Sequence, residues 1–325
     1  MIRVQAHASS HGSSQTGLAI NSRRTTLIYN PAAGRLRGRS RARLDRAAKI
    51  LERAGHAISM SPTTGPGTAG DMARQAIAAG AEFIVAAGGD GTINEVLDGV
   101  ANTPVPLGIL PAGTANVLAT ELGLPHGLGH AATSMSECVA KRIAIGRLDC
   151  GSKPRHFLSM AGVGFDAHIV YNLSAGLKQR LGKAAYWVGG FTQVAGRFPE
   201  FQVEIDGAAR EVCSFALISR VRNYGGDFEI AQSIGLLDNC FEVVLFRGRT
   251  PFPYFKYLFG LTTGRLAGMR GVSFLKAQCI RVSDPEDRRI YIQVDGESAG
   301  HLPTRVSLVP DAVTLLVPPA YLSRM

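Results

Sequence analysis

At 325 residues, 46% of them hydrophobic, the chain exceeds what one compact core usually holds, and two domains are expected. Its 35 Lys and Arg outnumber 25 Asp and Glu, and the net charge of +10 points to anionic partners: phosphates, acidic lipid surfaces or nucleic acid. The five cysteines form no CxxC pair, which argues against a zinc ribbon or disulfide framework and suits a reducing compartment.

Met1–Ser22 mixes Ser, Gly, His and Gln without an apolar segment, and is expected to be a disordered tail rather than a signal peptide or anchor. No apolar run approaches the roughly eighteen residues that span a bilayer, so the cytoplasm is the expected location. From Thr25 to Leu122 strands and helices alternate. Thr25–Asn30 reads as a strand, Arg39–Ala54 as a helix with Leu44, Ala47, Ala48 and Leu51 on one face, Ala57–Met60 as a strand and Thr68–Ala79 as a helix stopped by Gly80. The apolar, β-branched run Phe83–Ala87 predicts a buried parallel strand, and Gly88, Gly89 and Gly91 let the backbone turn. Thr92 can cap the following helix, with Glu95 as its capping-box partner and Ile93, Val96, Leu97 and Val100 as the apolar stripe. A strand at Pro106–Leu110 and a helix at Thr114–Leu122, capped by Thr114, complete the series. This order predicts an open, doubly wound, mostly parallel sheet over residues 23–140, with ligands beyond the carboxyl ends of the strands.

Three loops fall at those ends: Asn30-Pro31-Ala32-Ala33-Gly34, Gly88-Gly89-Asp90-Gly91-Thr92, and Pro111-Ala112-Gly113-Thr114-Ala115-Asn116. Each could be a structural turn, but their convergence favours a nucleotide, because bare N–H groups and helix starts attract phosphate. Asp90 would repel phosphate unless a cation lies between them. The basic run Arg35, Arg37, Arg39, Arg41, Arg43, Arg46 and Lys49 reads either as a solvated helix face or as a grip for headgroups or polyphosphate.

Beyond about residue 140, alternation replaces the helical pattern, and residues 141–325 are expected to be largely antiparallel β, with the last strands free to return to the first domain. Arg142–Leu148, His156–Ala161, Phe201–Ile205, Phe241–Phe246, Cys279–Val282, Ile290–Val294, Arg305–Val309 and Val313–Val317 read as strands. A helical stretch carries Leu177, Leu181 and Tyr186, and the aromatic segment Phe252–Leu266 reads as core more readily than as a pocket wall. Asp206-Gly207 is a hairpin signal. Asp295-Gly296-Glu297 is either another turn or, on an extended strand, a pair of carboxylates about 6–7 Å apart, suited to general-base and cation-binding roles.

Together, Asn30–Gly34, Gly88–Val96, Pro111–Asn116, Gly162-Val163-Gly164-Phe165-Asp166-Ala167 and Asp295–Glu297 resemble the diacylglycerol/sphingosine-type lipid kinase family, especially its bacterial members, over Thr25 to Val317. The resemblance implies a nucleotide-binding α/β domain like that of NAD kinases and phosphofructokinases, followed by a β-rich lipid-substrate domain, with the site between them. It implies that ATP and Mg²⁺ are used to phosphorylate a lipid alcohol such as diacylglycerol or a sphingoid base. It implies a peripheral membrane contact and no nucleic acid. Asn30, Pro31, Ala32, Ala33, Gly34, Thr63, Gly88, Gly89, Asp90, Gly91, Thr92, Ile93, Asn94, Gly113 and Thr114 would then hold ATP, with Asp90 acting through Mg²⁺. Glu297 would be the catalytic acid/base beside Asp295, Asp166 would lie near the headgroup, and Asp238 with the carbonyls of Gly235 and Cys240 would hold a structural Mg²⁺. Ala33 replaces the family's usual serine, Val117 an aspartate, and Leu237, Asn239 and Glu242 the usual residues of the metal loop. An NAD kinase-like enzyme, or a lipid- or nucleotide-binding regulator without catalysis, is the alternative.

Overall fold

The computed structural model describes residues 23–36, 41–151, 154–164, 198–208, 210–224 and 228–324. Asp166, Arg37, Arg39 and the expected helix with Leu177, Leu181 and Tyr186 lie outside them, as does residues 1–22. The first part runs β1 (Arg24–Tyr29), α1 (Arg41–Arg53), β2 (Ala57–Pro62), α2 (Ala69–Ala78), β3 (Phe83–Gly88), α3 (Asp90–Val100), β4 (Leu107–Pro111), α4 (Val117–Glu121) and α5 (Leu128–Ser134). β5 (Val139–Asp149) and β6 (Arg155–Phe157) follow, then β7 (Met160–Gly164), β8 (Phe201–Ile205), β9 (Arg210–Cys213) and β10 (Phe215–Ser219). The chain continues through β11 (Asn223–Tyr224), β12 (Phe228–Glu229), β13 (Phe241–Phe246), α6 (Pro251–Thr262), β14 (Val272–Ala277) and β15 (Cys279–Ser283). It ends with β16 (Tyr291–Val294), β17 (Glu297–His301), β18 (Thr304–Val317) and α7 (Pro319–Leu322).

The order β2-β1-β3-β4 is parallel throughout, as the alternating pattern predicts. Every residue of β3 is buried, and the expected stripe of α3 (Ile93, Val96, Leu97, Val100) packs in the core on one sheet face. Leu44, Ala47, Ala48 and Leu51 of α1 fill the other face. Arg43, Arg46 and Lys49 are exposed on the side of α1 away from the sheet, and the Arg41 guanidinium lies 4.6 Å over the Tyr29 ring.

The second sheet is antiparallel, in the order β14-β13-β10-β7-β16-β17. Two expectations are corrected here. The single strand expected at His156–Ala161 is broken at Leu158-Ser159: β6 pairs with β5 in the first sheet, and β7 pairs with β10 and β16 in the second. The last two strands are one, β18, which carries a register shift between Val309 and Val313, because Pro310 has no N–H and Asp311 adopts φ 47°. β18 lies parallel to β4 and antiparallel to β5 and β15, so the C-terminal strand is built into the sheet of the first half.

Candidate active site

The three glycine-containing loops meet at the carboxyl ends of β1, β3 and β4. The first is tied to its neighbours by backbone bonds from Asn30 N–H to Ala87 O (3.0 Å) and from Arg35 N–H to Ala112 O (3.0 Å). Asn30 folds its own loop, its Oδ1 accepting from Ala32 N–H at 2.9 Å, and its Nδ2 donates to Thr92 Oγ1 at 3.3 Å. The second and third loops touch back to back: a Cβ on Gly113 would lie 2.4 Å from the Gly89 Cα. Only glycine fits such an approach.

α3 begins at Asp90 rather than after Thr92. Gly89 is the N-cap in an extended conformation, and the helix has no side-chain cap. Thr92 is therefore already in the first turn, and Glu95 is released from the expected capping box. Its carboxylate accepts from Gly67 N–H (2.8 Å) and Ala69 N–H (3.0 Å), and so holds the start of α2 instead. The uncapped first turn of α3 is left facing the cleft, where its dipole and N–H groups suit an anion. The expected cap at Thr114 is likewise replaced. α4 starts at Val117 behind a left-handed Asn116 (φ 50°), whose amide bonds both Gly113 N–H (2.8 Å) and Gly113 O (2.9 Å). Thr114 is exposed and faces Gly34.

These loops line a cleft of about 490 Å³, together with Thr63, Thr64, Gly65, Pro66, Glu95 and, from the other half of the chain, Glu297. Asn30 to Gly34, Gly89, Gly91, Thr92 and Gly113 all reach it. Gly88 ends the buried strand, Ile93 is in the core, and Asn94 is buried with its Oδ1 unpartnered, so these three stand behind the lining.

The acidic triplet belongs to a hairpin. Asp295 (φ 48°) and Gly296 (φ 82°) form a two-residue turn between β16 and β17, so the strand does not run extended through both carboxylates. The turn is held by reciprocal bonds to β7: Met160 N–H donates to Asp295 Oδ1 (2.8 Å), and Asp295 N–H to Met160 O (3.0 Å). Glu297 then reaches the start of α3, where a Cβ on Gly91 would come within 2.3 Å of its Oε1. Asp90, Asp295 and Glu297 thus converge from elements about two hundred residues apart.

Their electrostatics match that crowding. Burial raises the Asp90 carboxyl above its ordinary range, opposed by N–H groups at the start of α4. Burial, with the Asp90 charge beside it, pushes Asp295 up to about 7, while N–H groups of Met160, Leu158 and Ser159 pull it down. Two neighbouring carboxyl groups that resist ionisation alone would ionise beside a positive charge, and such a donor pair suits a hard divalent cation together with phosphate oxygens. Arg155, which no sequence motif marks, donates from Nη2 to Glu297 Oε2 (3.3 Å) and from Nη1 to Ser298 O (2.8 Å). Its neighbour His156 pairs with Asp98 of α3 at 2.8 Å.

Gly235, Asp238 and Cys240, expected to hold a structural metal, are hydrogen-bonded within the chain. The Gly235 carbonyl accepts from Asp238 N–H (3.0 Å), the Asp238 carboxylate accepts from Gly235 N–H (2.8 Å), and the Cys240 carbonyl accepts from Arg220 Nη1 (3.0 Å). Among the described residues no group of three or more His, Cys, Asp or Glu side chains could hold a metal.

Family models match both halves of the chain. Residues 24–148 match the diacylglycerol kinase catalytic domain, and residues 159–317 match the YegS C-terminal NAD kinase beta sandwich-like domain. The diacylglycerol kinase of Bacillus subtilis (strain 168) is 31% identical over 288 residues, covering 86% of this chain and 92% of that protein. The chain belongs to the diacylglycerol kinase family. The diacylglycerol kinase of Staphylococcus aureus (strain MRSA252) is 27% identical over 285 residues, 86% of this chain and 88% of its own. A crystal structure of a diacylglycerol kinase from Bacillus anthracis str. Sterne superposes with a TM-score of 0.75 at 24% identity, over 92% of this chain and 98% of that one. A second structure from that organism gives 0.78 at 23% identity, over 96% and 100%. These superpositions establish the fold, and the sequence relatives establish a lipid kinase with ATP as phosphoryl donor.

Proposed function

We propose that this chain transfers the γ-phosphoryl group of ATP to a hydroxyl of diacylglycerol, the substrate that its relatives' names indicate. The observation that carries this reading is the Glu297 carboxylate lying against Gly91 at the mouth of the three-loop cleft. The loops and the uncapped start of α3 bind the phosphates, with Thr63 and Thr114 at the rim. Asn30 and Asn116 keep the loops in shape. Glu297 accepts the proton of the attacking hydroxyl, and Arg155 holds it in place. Mg²⁺ would be held by Asp90 and Asp295 with the phosphates, and its chemistry is neutralisation of charge on the transferring group. Catalysis is then mainly positioning, with one proton moved at Glu297. Glu297→Gln is expected to lower turnover of ATP on diacylglycerol-containing micelles by about 10²–10⁴-fold while ATP still binds. Near-normal turnover in that variant would remove Glu297 from the mechanism.

The lipid substrate requires contact with a bilayer, and α6 supplies the surface for it. Among the described residues no helix is long and apolar enough to cross a membrane. The aromatic segment was expected to be core, and half of it is: Tyr254 and Tyr257 are buried, Tyr254 OH meeting Ser214 Oγ at 2.9 Å and Tyr257 OH donating to Arg247 O at 2.6 Å. The other face is not. Phe252 is 74% exposed and Phe259 66%, two turns apart, with Phe255 between them. Lys256, Arg265 and Arg270 are exposed on and just after the helix, and Val243 to Ser283 contains no Asp or Glu. An aromatic ridge flanked by exposed cations fits an anionic lipid surface. The apolar cavity beneath α6, about 30 Å³, is too small for an acyl chain, so this segment acts as a docking face and not as a pocket.

A further inference from the structure

The loop Gly235–Cys240, offered by the family resemblance as a metal site, already surrounds a cation of the chain's own. Arg220, at the end of β10, is completely buried. Its Nη1 donates to Asp238 O (2.6 Å) and Cys240 O (3.0 Å), and its Nη2 donates to Leu236 O (2.6 Å). Three carbonyls on alternate residues of one loop therefore converge on one guanidinium. Carbonyls brought together in this way repel one another unless a positive charge sits among them, and a loop metal would serve the same purpose.

The guanidinium also excludes a metal from that position. A divalent ion needs about six oxygens at 2.0–2.6 Å, whereas Asp238 O and Cys240 O each already accept a hydrogen bond from the positively charged Arg220, whose charge repels a second cation. The Asp238 carboxylate is turned to Gly235 N–H, and Glu242, in place of the usual aspartate, is spent on Gln232 N–H (2.7 Å) and Ser233 N–H (3.0 Å). Burial lowers the Arg220 pKa to about 10, which leaves it charged at neutral pH. Its Nε is buried without a partner, as expected if the guanidinium is oriented by the loop carbonyls alone.

We propose that Arg220 is the built-in cation of this loop, replacing a bound divalent metal, so that the loop folds independently of metal. The consequence reaches the first half of the chain. Leu236 N–H donates to Tyr321 OH (2.9 Å), and Tyr321 OH donates to Glu121 Oε1 of α4 (3.0 Å). Glu121 Oε2 accepts from Arg222 N–H at 2.9 Å. The loop on Arg220 thus anchors α7 and the far end of the helix whose start faces Asp90.

Thermal unfolding of the nucleotide-free full chain in EDTA, then with Mg²⁺ or Ca²⁺ to millimolar levels, tests this. Wild type and Asp238→Ala should show the same change in midpoint on adding either cation, because any cation held at Asp90 and Asp295 is common to both. Arg220→Met should lower the wild-type midpoint by several degrees in EDTA. A saturable cation-dependent rise in wild type that Asp238→Ala removes would overturn the proposal. An unchanged midpoint in Arg220→Met would overturn it as well. Should Arg220→Met fail to fold, the wild-type and Asp238→Ala titrations still decide the question.

Discussion

Replacing Asp295 by Asn should stabilise the nucleotide-free protein, and by an amount that grows with pH. Asp295 sits in the hairpin turn against Met160, with the Asp90 charge beside it, and its carboxyl is raised from 3.8 to about 7. The folded protein therefore keeps a proton there that the unfolded chain has given up. Below about pH 4 both states hold the proton and Asp295 costs nothing. Between about pH 4 and 7 only the folded state holds it, and stability falls by about 1.4 kcal/mol per pH unit. Above the folded value neither state holds the proton, and the penalty is complete. A rise of roughly three units corresponds to about 4 kcal/mol, which partial access to water reduces to about 2–4 kcal/mol. Asn keeps an oxygen for Met160 N–H and does not titrate. Urea unfolding of wild type and Asp295→Asn in EDTA at pH 5, 6, 7 and 8 should show the variant's advantage widening to about pH 7 and then levelling. An advantage independent of pH would refute the claim that burial, with the Asp90 charge beside it, raises the Asp295 carboxyl in the folded chain.

Two further substitutions probe the approach of Glu297 to α3 and the docking face. Gly91→Ala places a methyl within 2.3 Å of Glu297 Oε1 and displaces that carboxylate. Turnover should fall about 10²-fold while the thermal midpoint moves little, since the atom pushed is the end of a half-exposed side chain; unchanged turnover would mean that Glu297 works from elsewhere. Phe252→Ser with Phe259→Ser should weaken sedimentation with anionic vesicles and leave turnover in detergent micelles unchanged. Undiminished vesicle binding would remove α6 from the membrane contact.

Local chemistry explains how much of the site was legible in the sequence. Gly89 and Gly113 mark themselves because their backbones approach too closely to leave room for a side chain on Gly113, and Asp295-Gly296 is a turn signal wherever it occurs. The exact helix starts were not legible. Thr92 and Thr114 have the chemistry of caps, but Gly89 turns the chain three residues early, and Asn116 turns it two residues late. Arg155 carries no signal at all, because its partner Glu297 lies 142 positions away and the two meet only through sheet pairing. The contact of Arg220 with the loop Gly235–Cys240 is equally silent in the sequence, since Arg220 lies 16 to 20 positions before the carbonyls it binds.

What joins the two halves into one site is a short segment, Arg155–Met160, that none of the glycine motifs includes. Arg155 bonds Glu297, His156 pairs with Asp98 on α3, and Met160 holds Asp295 through two backbone-anchored bonds. Within these six positions the chain leaves the first sheet at β6 and enters the second at β7. A shift of either sheet against the other therefore changes the setting of both acids relative to α3 at once. The alignment of the acids with the loops therefore runs through that crossing. It also explains why the C-terminal strand β18 runs back beside β4 and β5: it fixes the sheet from which the crossing starts.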